Sequence, residues 1–372
     1  MQKTKITYIV SDTNRYIGFE WVVNALKSYF DFSFILLNSG KSYLEDFMMQ
    51  NDIPTYFIQY NGKKDVLKSF FQVRKTLKKI KPAVVHCHFF DACFVGLPAA
   101  KSLFIKKIIY TRHYSTLHHE YFPTKGVLYD KIFNFLATDI IAISNVVKDV
   151  LIIKEKVSPK KVHLICHGMD FTDFRNITQN SIEMMREKYN LNNTFPIVGV
   201  IARYTEWKGI QHIVVAFQQL LSIYADAKLI LLNAHGDYAA EIQKLLSQLP
   251  AKNYIEIKFE TEIKSFYSIF DIYVHVPTNA HIEAFGLTYI EAIITRTPSV
   301  FTLSGIAHQV VEHEKNALCV PYKDSKAIYE AMIRYLTEPE LKNKLQTNDL
   351  TDIEKYFGLT RFVEELKVLY EK

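Results

Sequence analysis

Two carboxylates eight residues apart carry the first hint of chemistry. In Ile282-Glu283-Ala284-Phe285-Gly286-Leu287-Thr288-Tyr289-Ile290-Glu291-Ala292, one Glu precedes a Gly-containing turn and the other lies on the helix expected after it. At 1.5 Å per helical residue the carboxylates would stand about 12 Å apart, beyond the roughly 5 to 9.5 Å of a glycosidase pair. The span suits the distance from the ribose of a nucleotide sugar to its hexose, with Glu291 accepting from ribose hydroxyls and Glu283 beside the sugar. Two solvated helix-end acids would give the same spacing. In a second stretch, Gly199 to Gly209, a strand ends in Arg203 and a short turn leads through Lys208 into a helix. Two fixed cations and the free N–H groups of a helix start make a diphosphate receptor, although basic residues after a strand also occur on plain surfaces. Expelling a diphosphate requires a metal or such cations to neutralise it. The chain has no Asp-x-Asp pair to anchor a metal, so cations are the expected device, with no metal and no cofactor.

Histidines form the remaining constellations. His86-Cys87-His88 ends a strand, and alternation puts both imidazoles on one face. A metal reading finds Asp91 nearby but no cluster of ligands at matching spacing. Thr111-Arg112-His113-Tyr114 also follows a strand, where His113 would face a cleft and could hydrogen-bond a sugar hydroxyl; His118 and His119 fall in the loop beyond, where they are expected to be exposed.

Strand ends can hold such groups only if elements alternate, and they do. Ile6–Val10, Phe34–Leu37, Tyr56–Ile58, Ala83–Val85, Lys107–Tyr110, Ile140–Ile143 and Val162–Ile165 read as strands with helical segments between. After Asp170 a polar stretch, Thr172 to Thr194, marks a domain boundary. A second series follows at Ile197–Ala202, Lys228–Leu232, Ile255–Lys258, Ile272–Val276 and Ser299–Thr302, with helices near 209–224, 237–248, 286–296 and 324–337. The expectation is an α/β protein of two doubly wound, Rossmann-like domains facing across a cleft, residues 1–172 on the acceptor side and 190–350 on the nucleotide-sugar side. Residues 351–372 are expected to form a C-terminal helix packing back on the N-terminal domain.

The 372 residues, 49% hydrophobic and 23% charged, exclude a small stapled scaffold and wholesale disorder. Residues 1–200 carry 27 Lys and Arg against 17 Asp and Glu, and the remainder 18 against 22. The first half therefore suits an anionic partner such as a phosphorylated substrate or a membrane surface. The segment from Asp65 to Lys81 repeats Val66, Phe70, Val73, Leu77 and Ile80 at helical steps, with Lys68, Arg74, Lys75, Lys78, Lys79 and Lys81 on its polar side. That face fits anionic headgroups or simply a solvated exterior. Four cysteines without paired spacing, no signal-peptide core and no apolar run of 18 residues point to a cytoplasmic chain, with peripheral contact at the inner membrane face as the membrane option. No nucleic-acid module is recognisable, and Ser11-Asp12-Thr13-Asn14 stands where a dinucleotide-binding glycine turn would be.

Seven segments occur in the order and spacing of the retaining glycosyltransferases of family four: Tyr16-Ile17-Gly18-Phe19-Glu20, Val84-Val85-His86-Cys87-His88, Tyr110-Thr111-Arg112-His113, Ile141-Ala142-Ile143-Ser144, His167-Gly168-Met169-Asp170, Arg203 with Lys208-Gly209, and Glu283 through Glu291. The chain resembles that family over nearly its whole length. The resemblance implies the two-domain GT-B fold and metal-independent transfer of a sugar from a UDP- or GDP-sugar to a saccharide or lipid-linked acceptor. It also implies roles. Arg203 and Lys208 match the diphosphate-binding pair, Glu291 the ribose contact, Glu283 the acid beside the donor sugar and His113 the cleft histidine. Gly18 matches the glycine of a loop near the donor phosphates, and amides around Phe285, Gly286 and Leu287 join the clamp. His86 and His88 fall on the acceptor side. A nucleotide-sugar epimerase or hydrolase of the same fold is the alternative. The chain departs from the family at Ser304-Gly305-Ile306-Ala307-His308, where a glycine pair and Pro-Glu are usual, at Ala284, a frequent glycine, and at His167, usually Asn.

Overall fold

A computed structural model describes residues 3–372, the side chains of Asp173, Arg175 and Gln346 excepted. The chain forms two compact units: one runs to Met169 and takes back Tyr356–Lys372, and the other is Asp170–Lys355.

The first unit is built on a parallel sheet of seven strands: β1 (Thr4–Ser11), β2 (Phe30–Asn38), β3 (Thr55–Gln59), β4 (Val84–His88), β5 (Lys107–Arg112), β6 (Asp139–Ala142) and β7 (Val162–Leu164), ordered β3-β2-β1-β4-β5-β6-β7. The central strands are buried along nearly their whole length, as runs such as Ile6–Ser11 and Val84–His88 require when helices cover both faces. The order reverses between β1 and β4, so the loops after these strands diverge and leave a crevice at their carboxyl ends. His86 and His88 stand there, paired in register with Tyr8 and Val10. The helix Leu359–Glu371 packs against the helix Ile17–Leu26. Its Tyr370 reaches the sheet, where its hydroxyl bonds the Tyr8 hydroxyl and His86 Nδ1.

The second unit has six parallel strands: β8 (Ile197–Ile201), β9 (Lys228–Leu232), β10 (Tyr254–Ile257), β11 (Ile272–His275), β12 (Ser299–Phe301) and β13 (Leu318–Cys319), ordered β10-β9-β8-β11-β12-β13. The reversal here falls between β8 and β11. β13, two residues long, escaped the sequence reading because so short a run has no period.

Two local readings are corrected. The polar stretch after Asp170 holds a helix, Gln179–Lys188, started by Thr178, whose hydroxyl accepts from the amide of Ser181. It buries only Met185, so its apolar pattern is faint. Leu117–Tyr121 is helical, and His118 is buried against Asp130 at 3.0 Å instead of exposed. It belongs to a network centred on Arg112, whose guanidinium lies 2.8 Å from both Asp130 and Glu155 with all three side chains fully buried. Asn134 and His119 complete the hydrogen bonds to Glu155, and Tyr114 those to Asp130. The helix Val66–Ile80 buries Ser69, Val73 and Leu77, while Val66, Phe70 and Ile80 are only half-buried.

Candidate functional site

In the second unit the constellation assembles from three segments far apart in sequence. After β8, Arg203 is exposed, and Glu206–Lys208 make one short helical turn ending at Gly209, φ 74°. A Cβ at Gly209 would lie 2.0 Å from the carbonyl oxygen of Val276, so only glycine allows this approach. The contact brings Lys208 alongside the segment that follows β11, and the amide of Thr278 donates to the Trp207 carbonyl at 2.9 Å. The third segment is the loop after β12. Ser304 Oγ accepts from the Glu283 amide, and the Ile306 amide donates to the Phe285 carbonyl. Gly305, φ 59°, has no room for a Cβ, which would meet the Phe285 carbonyl oxygen at 2.7 Å and that of Glu283 at 2.9 Å.

Glu283 is the hub of this arrangement. Its Oε2 accepts from Lys208 Nζ at 2.6 Å and lies 3.4 Å from His275 Nε2. Burial would raise its carboxyl, but the Lys208 charge and His275 outweigh burial and hold it down at about 2. Burial also lowers His275, against the pull of Glu283, which favours the neutral imidazole near pH 7. Gly286 adopts φ 89° and opens the helix Leu287–Ile294, whose first amides lack intrahelical partners. On that helix Glu291 is half-buried and accepts from the Tyr267 hydroxyl at 2.6 Å. Burial pushes its carboxyl up, and the Tyr267 bond counters part of this. A lysine, two acids and a helix start thus share one end of the sheet, an arrangement able to receive an anion and neighbouring hydroxyls.

In the first unit four imidazoles cluster with aromatic rings. His86 bonds Tyr370 through Nδ1 and Thr111 through Nε2, both at 2.8 Å, so neither ring nitrogen is left for a metal. His88 Nδ1 meets His113 Nε2 at 3.2 Å, which requires one donor and one acceptor nitrogen. His113 stacks on Phe89 with ring centroids 4.6 Å apart and on His167 at 5.7 Å. Burial lowers all four imidazoles, His86 to about 3 and His167 to about 4. Phe89 has φ 70° and ψ 163°, a region that glycine alone enters freely, at a cost of about 1–3 kcal/mol. That strain turns its ring onto His113. Gly18 is the second residue of the helix Ile17–Leu26 instead of a loop residue, and a Cβ there would lie 2.6 Å from the Tyr16 ring.

The expected residues therefore gather into two clusters: Lys208, Glu283, Phe285, Gly286, Leu287 and Glu291 in one, His86, His88 and His113 in the other. Arg203 stands exposed beyond β8, and no contact of its side chain with the first cluster appears among the described residues. The sequence reading missed His275, Ser304 and Tyr267, which hold the two acids, and Phe89, Tyr370 and Tyr16, which surround the imidazoles. No local signal marks them, because each acts through a contact between segments distant along the chain.

Residues 181–350 match Glycosyl transferases group 1, and residues 34–173 match Glycosyltransferase Family 4. The capsular polysaccharide biosynthesis glycosyltransferase CapM of Staphylococcus aureus is 29% identical over 324 residues, covering 82% of this chain and 80% of that protein. The Escherichia coli UDP-Gal:alpha-D-GlcNAc-diphosphoundecaprenol alpha-1,3-galactosyltransferase is 21% identical, covering 92% and 89%. Among solved structures, HepE of Anabaena in complex with UDP and glucose superposes with a TM-score of 0.84 at 18% identity, over 99% of this chain and 100% of that one. The UDP-GlcNAc 2-epimerase of Neisseria meningitidis is more distant, at a TM-score of 0.69 and 15% identity, over 99% and 100%. Family matches on both halves, sugar-transferring relatives and a shared pair of parallel sheets agree that this chain belongs to glycosyltransferase family 4 and is a glycosyltransferase of the GT-B fold.

Proposed function

We propose that the enzyme moves a sugar from a nucleoside-diphosphate donor to a hydroxyl of a saccharide or lipid-linked acceptor, with retention at the anomeric carbon and without a catalytic metal. UDP is favoured over GDP as the carrier by the UDP complex of HepE and the UDP-Gal named for the E. coli relative. The acceptor class follows from that relative's diphosphoundecaprenol substrate and from capsule synthesis by the staphylococcal one. The observation that carries the reading is the Lys208–Glu283 pair beside the start of the helix Leu287–Ile294.

On this reading the donor diphosphate draws Lys208 away from Glu283, and Arg203 and the amides at Phe285, Gly286 and Leu287 complete its clamp. Glu291 accepts from the ribose hydroxyls. Glu283 turns to the hexose hydroxyls, and His113 bonds the sugar as a neutral imidazole. The bond between the anomeric carbon and the phosphate oxygen lengthens as fixed cations take up the charge on the leaving diphosphate. The acceptor oxygen bonds to the anomeric carbon on the same face, and its proton passes to the departing phosphate oxygen. Side-chain work is thus electrostatic, with no separate general base, and His86 and His88 lie toward the acceptor. The same reading holds the enzyme in the cytoplasm, peripheral at the inner membrane face. Its four cysteines are free thiols, and among the described residues no helix is long and apolar enough to cross a membrane.

Arg203→Ala and Lys208→Ala are each expected to lower kcat by about 10²-fold to 10³-fold, the scale for removing one transition-state donor. Sugar transfer from UDP- and GDP-sugars, measured with and without chelator and acceptor, checks this. Undiminished turnover at saturating donor in both variants, or loss on chelation, would overturn the assignment. Donor conversion that ignores the acceptor would establish the epimerase or hydrolase instead.

A further inference from the structure

The first unit carries an apolar groove away from the histidine cluster. The helices Val66–Ile80 and Lys125–Leu136 both pack on the helix Phe90–Ser102. Val66 and Phe70 line one wall, Tyr129 and Phe133 the other, and Phe94 and Pro98 lie between them. The groove holds about 420 Å³ and is open to the outside. Both rims are apolar as well. Leu67 and Phe71, 69% and 60% exposed, lie one turn apart on the first helix; Leu128, Ile132 and Phe135 follow helical spacing on the other. Among monomeric surfaces such a continuous patch marks an interaction site.

Charge identifies the occupant. Residues 63–81 hold eight Lys and Arg against a single acid, Asp65, and Lys125 and Lys131 flank the opposite rim, both exposed. Along the first helix Leu67, Phe71, Lys75 and Lys78 share one stripe, so on the same face two apolar side chains are followed by two cationic ones. A ligand seated in the groove alone would leave the exposed rims in water, whereas a bilayer covers groove and rims together and offers anions to the lysines. We propose that this face docks on an anionic bilayer and that the groove takes one acyl chain of an anionic lipid. The inference deepens the peripheral-membrane reading above and rests on it.

The test uses the full chain with vesicles of phosphatidylglycerol or phosphatidylcholine, the former doped with a phosphatidylglycerol carrying a diazirine at its acyl terminus. The chain is expected to float with phosphatidylglycerol only, and photolabel is expected at groove residues such as Phe94 and Tyr129. Ile132→Trp narrows the groove without touching charge and is expected to keep flotation while losing roughly tenfold of that label. Lys75→Glu with Lys78→Glu is expected to cut flotation roughly tenfold or more at physiological salt. All variants should keep the thermal shift that UDP gives the parent chain. Flotation with label only outside the groove overturns the acyl-chain site alone. Absence of flotation overturns the membrane association itself, and a vesicle-free dimer that Phe71→Ser or Phe135→Ser dissociates assigns the face to a second copy. A missing UDP shift with groove labelling intact would count against the transferase reading and leave the groove standing.

Discussion

At the scale of single residues, burial sets the protonation states, and the two units differ in how acid reaches them. His86, His88, His113 and His167 are all lowered by burial, so each folded imidazole binds its proton less readily than the unfolded one. Their contribution is whole above the unfolded value near 6.5 and is lost as pH falls toward the about 3 of His86 and about 4 of His167. Glu283 is lowered too, but from 4.5 to about 2, so its contribution in the second unit begins to fade only below pH 4.5. The second unit has lowered imidazoles only at His212 and His275 among the described residues. Acid is therefore expected to loosen the first unit at the higher pH. The chain has two tryptophans, Trp21 in the first unit and Trp207 in the second. Fluorescence of Trp207→Phe and Trp21→Phe variants checks the order; coincident transitions would contradict it. Glu283→Gln should in addition weaken the acid sensitivity of the second unit between about pH 4.5 and 2, while Glu260, also held down at about 2, keeps its share.

At the scale of elements, polar clamps rather than propensity fix the segments that carry the clusters. The loop after β5 and the helix Lys125–Leu136 are tied by Arg112 to Asp130 and Glu155, every partner fully buried. Removing the cation strands two carboxylates in a dry site, so Arg112→Met is expected to destabilise by about 3–5 kcal/mol in denaturant titration. Replacing Arg112, Asp130 and Glu155 together by apolar residues of similar volume should recover most of that loss, because no unpaired charge then remains. Recovery is the informative arm, since a merely packed arginine would show none. In the second unit the loop after β12 is held by carbonyls and hydroxyls instead. Gly305 is needed there because the backbone passes the Phe285 and Glu283 carbonyls too closely for a Cβ, and Gly286 is needed before the helix Leu287–Ile294 because a Cβ would meet the Tyr289 ring at 2.6 Å.

At the scale of the whole molecule, the chain's end completes the unit that its beginning starts. Tyr370 bonds Tyr8 and His86 across 362 and 284 residues of sequence. Tyr370→Phe leaves the Tyr8 hydroxyl and His86 Nδ1 short of a buried partner, a cost of about 1–3 kcal/mol. Thermal unfolding followed through Trp21 is expected to show the loss and Trp207 to be spared; an equal shift at both would contradict it. Alternation of short apolar runs with helical segments made both parallel sheets legible in the sequence, because burial on two faces needs continuous apolar strands. The Glu283–Glu291 spacing and the cations near Gly209 were legible as well, being local patterns. The pairing of Lys208 with Glu283, the support from His275, Ser304 and Tyr267, the strained Phe89 and the burial of His118 were decided by tertiary structure alone. Each depends on strands and loops from distant parts of the chain meeting at one sheet end, a distance that no local pattern records.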